Sequence, residues 1–188
     1  DSDRHVIAFG CDGLGAGLSA TQGNGVQDPL LIRFGSQESL TDFTPSATNT
    51  AGDLRLSKGS EIITAVQTGR QILVYTDQSL YSMQFIGAPF TFGVSLLADN
   101  IRIAGPNVAI AVNDIVFWMG QENFYQYDGR IQVIPCTVRD YVFGDMNNQQ
   151  SFKFHAGSIG SQTEIWWFYC SSGSSEIDRY VVYNYGQG

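Results

Sequence analysis

Between Glu61 and Gly129 the apolar positions come in short runs, and the runs come twice. Ile62–Val66, Ile72–Thr76 and Leu80–Phe85 make a first set; Val108–Val112, Ile115–Met119 and Phe124–Tyr127 make a second. The gaps are short and polar or glycine-bearing: Gln67–Gln71 and Asp77–Ser79, then Asn113–Asp114 and Gly120–Asn123. Runs of about five residues rich in Ile, Val, Phe, Tyr and Trp, joined by tight turns, predict antiparallel strands in hairpins. Ile115 follows Ile72 by 43 residues at the equivalent place. A repeat of about 40–45 residues carrying three or four strands has the period of a β-propeller blade.

The same spacing recurs more loosely at both ends. Thr163–Cys170, a polar turn and Arg179–Tyr185 repeat the central hairpin, and Arg4–Phe9 with Leu30–Phe34 make a further pair. The chain therefore reads as all-β, with propeller-like antiparallel blades near 4–35, 61–86, 107–134 and 151–186. A β-sandwich is the alternative, since it too has many short strands. Pro45–Ser60 reads as a surface connection and Phe85–Pro106 as a linker. After the hairpin signal Asp128-Gly129, Arg130–Pro135 returns as a strand. One short helix is expected near 137–146: Val138, Tyr141 and Val142 fall at i, i+3 and i+4, with Thr137 as N-cap and Asp140 at the third helical position. Ser151–Ser158 then reads as the outer strand of the last unit.

Composition narrows the function classes. The 188 residues are 43% hydrophobic but only 15% charged, unlike a disordered chain. The net charge of −8 offers no electrostatic reason to grip phosphate backbones. No apolar stretch has transmembrane length, and no signal peptide is present. Cys11, Cys136 and Cys170 are an odd number without metal-like spacing, and read as free thiols in a reducing compartment. Asp-Ser-Asp at the start and Tyr-Gly-Gln-Gly at the end, just after a strand, read as a segment of one propeller-type domain in a longer chain.

Candidate chemistry is sparse. The glycine-rich stretch Gly10–Gly25 lacks the third glycine, the following helix and the lysine of a nucleotide-binding loop, and reads as a contact loop. His5 and His155 have no partner at metal-ligand spacing. Asp77, Asp114, Asp128 and Glu164 recur near hairpin ends, where a glycosidase would gather two carboxylates. Asp is equally favoured there for bonding backbone amides. Thr76–Tyr81 is similar to the Asp-box of sialidase propellers but lacks its glycine and tryptophan. Trp118, Trp166 and Trp167 read as core; alternation turns Trp166 and Trp167 to opposite faces, both covered in a stack of blades. No catalytic, cofactor-binding or metal residue is assigned, and no enzyme or cofactor is expected.

Several strings carry a resemblance. ILVYTDQSLYSMQFIGAPFTFG (Ile72–Gly93), IVFWMGQENFYQYDG (Ile115–Gly129), IPCTVRDYVFGDMNNQQ (Ile134–Gln150) and EIWWFYCSSGSSEIDRYVVYNY (Glu164–Tyr185), with LIRFGSQESLTDFTP and AGDLRLSKGS upstream, resemble the tail hub or nozzle (tail tubular) protein of short-tailed bacteriophages, the podoviruses. The resemblance runs from Leu31 onward. It implies a structural virion protein of the tail, made in the host cytoplasm. Such a protein forms a ring with its own copies, commonly six, below the portal and adaptor. It extends the DNA channel and contacts tail fibres or other tail proteins, and DNA passes through without specific binding. An acidic lumen agrees with this, because it repels the phosphate backbone. The alternative is a β-propeller that binds or cleaves host glycans.

Overall fold

The computed structural model describes residues 4–14 and 23–187. The chain is mostly β-sheet, 48% strand against 9% helix, as the run pattern predicts. It divides into two compact units, Asp1–Asn100 and Ile101–Gly188.

Among the described residues, unit 1 holds nine strands: β1 Ile7–Phe9, β2 Asp12–Leu14, β3 Gly23–Gln27, β4 Leu31–Phe34, β5 Gly52–Arg55, β6 Ile62–Gln67, β7 Ile72–Thr76, β8 Ser79–Gly87 and β9 Thr91–Asp99. They form a three-stranded sheet in the order β1-β4-β5, a β2-β3 hairpin and a four-stranded meander β6-β7-β8-β9. Residues 15–22, the middle of the expected glycine-rich loop, lie outside the described residues. Every residue of β7 is buried, so its ILVYT run is apolar on both faces rather than alternating. Ile32, Phe34, Leu56, Val74, Met83 and Phe92 form the centre of the unit's core.

Two stretches read as connections contain strands. Pro45–Ser60 includes β5, whose polar sequence GDLR has no apolar run and is held instead by its ladder to β4 (Ile32 opposite Leu54, Phe34 opposite Gly52). Phe85–Pro106 includes β9, paired with β8 over most of its length. In the first sheet the central strand β4 carries the fully buried Ile32, and Ile7 lies on the edge strand β1.

Unit 2 holds β10 Ala109–Val112, β11 Ile115–Met119, β12 Phe124–Tyr127, β13 Ile131–Ile134, α1 Arg139–Asp145, β14 His155–Ile159, β15 Glu164–Tyr169 and β16 Arg179–Asn184. The sheets are a second four-stranded meander, β10-β11-β12-β13, and the three-stranded β14-β15-β16. Ile115 and Ile72 each open the second strand of a four-stranded meander, as the repeat predicts. Asn113 and Asp114 both have positive φ (50° and 63°), the backbone of a two-residue hairpin whose twist matches the strands. Gly129, at φ 112°, turns β12 into β13.

The helix forms, but Thr137 does not cap it. The N-cap is Val138, without a side-chain cap bond. The first turn is anchored from a distance: Arg139 Nε donates to the Glu122 carbonyl and to Asn123 Oδ1, each at 2.8 Å. The expected outer strand begins later than Ser151, because a 3₁₀ segment, Asn148–Lys153, precedes β14. Among the described residues, no helix is long and apolar enough to cross a membrane.

Candidate functional site

The carboxylates at hairpin ends are committed to local structure. Asp77 accepts the Ser60 amide and the Ser60 hydroxyl, both at 2.7 Å. Asp178 holds Ser171 in the same two-pronged way, at 2.8 and 2.7 Å. Asp128 accepts the Arg130 amide at 3.2 Å, and Glu164 accepts the Trp166 indole N–H at 3.0 Å. Asp114 occupies the left-handed turn position. Asp77 belongs to unit 1, and Asp114, Asp128 and Glu164 to unit 2. Among the described residues, no three His, Cys, Asp or Glu side chains gather to hold a metal ion. All three cysteines are free thiols, and burial pushes the Cys170 thiol up.

These bonds set an acid limit on stability. Burial pushes Asp77 up, but the Ser60 amide and hydroxyl and the Glu61 amide outweigh it, so its carboxyl lies below the ordinary range. The Ser171 amide and hydroxyl hold Asp178 below the range, and the Lys58 ammonium does the same for Asp99. A carboxyl whose folded pKa is depressed contributes stability that is fully present above its unfolded value, about 3.9, and is lost as pH falls through the folded value. Urea midpoints should therefore be flat with respect to these groups above that value and fall below it. Asp77→Asn should lower the midpoint at neutral pH and shrink the acid decline; a variant with the wild-type decline would refute the assignment.

The tryptophans separate by face. Burial alternates strictly along β15: Ile165, Trp167 and Tyr169 are buried, while Glu164, Trp166 and Phe168 are half-buried. Trp167 packs on Phe124 at 4.8 Å and donates its indole N–H to the Val108 carbonyl at 3.0 Å. Trp118 is fully buried and stacks on Tyr125. Trp166 thus departs from the core reading. It stacks with Tyr180 at 5.0 Å, and Phe168 stacks with His155 at 4.8 Å. With Val182 and Ile159 they make an aromatic and aliphatic outer face on β14-β15-β16. Its parity was legible, since Trp166 and Phe168, and Tyr180 and Val182, are two apart. The recruitment of His155 follows from the register that sets it opposite Phe168.

A second surface has no local sequence signal. In unit 1 an open cleft of about 570 Å³ lies between β5, the 45–49 loop and the tip of the β8-β9 hairpin. Ile86 and Phe90 stand on that tip, 56% and 72% exposed. No motif along the chain joins these three segments, because they meet only on folding. No protein-family model matches the chain, and no curated protein matches it.

Proposed function

We propose that the chain is a structural component of a short-tailed phage tail, a subunit of the hub or nozzle ring that extends the DNA channel below the portal and adaptor. In this reading the sheets are blades of a β-propeller, and exposed sheet faces and hairpins serve subunit contacts. The observation that carries it is the meander. The strings that resemble the family supply strands of successive antiparallel sheets, two of them four-stranded and connected in simple order. The outer face of β14-β15-β16 agrees, since a face rich in Trp, Phe and Tyr is the composition of a protein interface core. The net charge of −8 suits a channel that DNA must leave without sticking.

The test is native mass, alone and mixed with phage portal–adaptor complexes, with imaging of any particle. A ring that docks beneath the portal is expected. A monomer that ignores the complex would remove the virion role. Trp166, with Glu164 at its indole edge, favours host-glycan binding as the second reading. Under that reading Trp166→Ala abolishes retention on a glycan array while leaving the fold intact.

A further inference from the structure

Among the described residues, no strand pairs with the outer edge of β5 in the sheet β1-β4-β5, and that edge lines the cleft. In an antiparallel ladder, alternate residues turn both N–H and C=O toward the partner strand. The Leu56 amide donates to the Leu30 carbonyl at 3.0 Å, which makes Leu30/Leu56, Ile32/Leu54 and Phe34/Gly52 the hydrogen-bonded pairs. Asp53 therefore points its backbone N–H and C=O away from β4. Ala51 through Leu54, consecutive in sequence, all line the cleft, as an edge seen side-on would.

The side chains around this edge are sorted by face. Gly52 and Leu54 share the face of Phe34, which meets Phe92 ring to ring at 4.9 Å, and the apolar wall continues through Ile86, Pro89 and Phe90. Gly52 is required here, because a Cβ would lie 2.6 Å from the Phe34 ring. Asp53 points to the opposite face and is exposed. It has no ion-pair partner among the described residues: its cross-strand neighbour Arg33 is directed to the carbonyls of Asp12 and Phe43, and Arg55 pairs with Asp28. The other polar lining is already engaged. Both Asn49 amide protons go to Asp42 and the Thr44 carbonyl, and the Asn49 carbonyl oxygen accepts the Ser46 amide. Beyond the edge backbone, the site offers acceptors and the Asp53 carboxylate, which forms no ion pair among the described residues.

We propose that the cleft is a strand-addition site: an extended segment of a partner polypeptide pairs with the edge of β5 and carries an apolar–basic–apolar triplet. The residue opposite Asp53 exchanges backbone hydrogen bonds with it and shares its face, so a lysine or arginine there meets the carboxylate. The residues on either side fall on the Gly52 face and meet the apolar wall. Main-chain pairing supplies affinity and the alternating side chains supply selectivity. The inference does not rest on the tail-ring reading.

The probe is the capped peptide Thr-Val-Lys-Val-Thr, titrated into the isotopically labelled protein and followed by amide NMR and hydrogen exchange. A dissociation constant on the order of 1 mM is expected for so short a strand. The Asp53 amide should shift and exchange more slowly, while the Gly52 and Leu54 amides keep their protection. Methylating the lysine backbone nitrogen of the peptide removes one strand hydrogen bond and should weaken binding about tenfold. Norleucine in place of the lysine, or Asp53→Asn in the protein, should weaken it severalfold. The proposal is overturned if the peptide leaves the cleft amides unmoved at about 10 mM. It is equally overturned if the methylated peptide binds as well, or if neutral maltohexaose moves the same amides more strongly than the peptide.

Discussion

Trp167→Ala is expected to cost unit 2 about 3–5 kcal/mol, the usual range for emptying a buried tryptophan site. The side chain is 1% exposed and packs on Phe124, and neighbouring Ile165 and Tyr169 are equally buried, so little can collapse into the void. A domain commonly has about 5–15 kcal/mol in all, so the loss takes a large share. Two companions divide the effect. Trp167→Phe keeps most of the ring and removes only the indole donor. The Val108 carbonyl still accepts the Met119 amide at 3.2 Å, so the cost should be near 1 kcal/mol. Trp166→Ala, one residue away on the outer face, should cost clearly less than Trp167→Ala. Urea unfolding of the three variants checks this. Equal losses at 166 and 167 would mean that the outer face is as fully packed as the inner one.

Gly59→Ala is the second large effect, on the order of 3 kcal/mol, because two penalties coincide. The residue has φ 104°, a conformation that strains any side chain by about 1–3 kcal/mol. The added Cβ would also sit 2.6 Å from Thr76 Oγ1 and 2.8 Å from Asp77 Oδ1. Overpacking of that kind costs about 1–3 kcal/mol. Thr76 cannot swing aside: it is fully buried, and its hydroxyl accepts the Ser79 amide at 2.9 Å and donates to the Ser79 carbonyl at 3.2 Å. The methyl therefore pushes on the Asp77 clamp, and exchange of the Ser60 amide should accelerate along with the drop in the urea midpoint. A Gly59→Ala protein with wild-type midpoint and protection would show that this turn is not held as described.

The local parts of the fold were legible because their causes are local. β7, β8, β11 and β12 are runs of β-branched and aromatic residues, and Asn113, Asp114 and Gly129 supply the positive φ of the β10-β11 and β12-β13 turns. The role of Asp77 as a turn clamp was legible as a residue preference, though its target, Ser60, lies across a strand and was not. β5 was missed because GDLR has no pattern of its own; its strand state comes from β4, more than a dozen residues earlier in the chain. β9 was missed because Gly93 breaks the run, while pairing with β8 restores it. Thr137 has the chemistry of a cap, but Arg139 anchors the helix instead through residues on the β11-β12 turn.

By itself, the sequence determined that this chain is all-β, where most of its strands lie, and that residues two apart on β15 share a face. Alternation has no sign, however: it separates Trp166 from Trp167 without saying which faces inward. The tertiary structure decided that, because burial is a property of what packs against a strand. It also decided the cleft, for an open strand edge and an exposed hairpin tip become one surface only when distant segments are brought together.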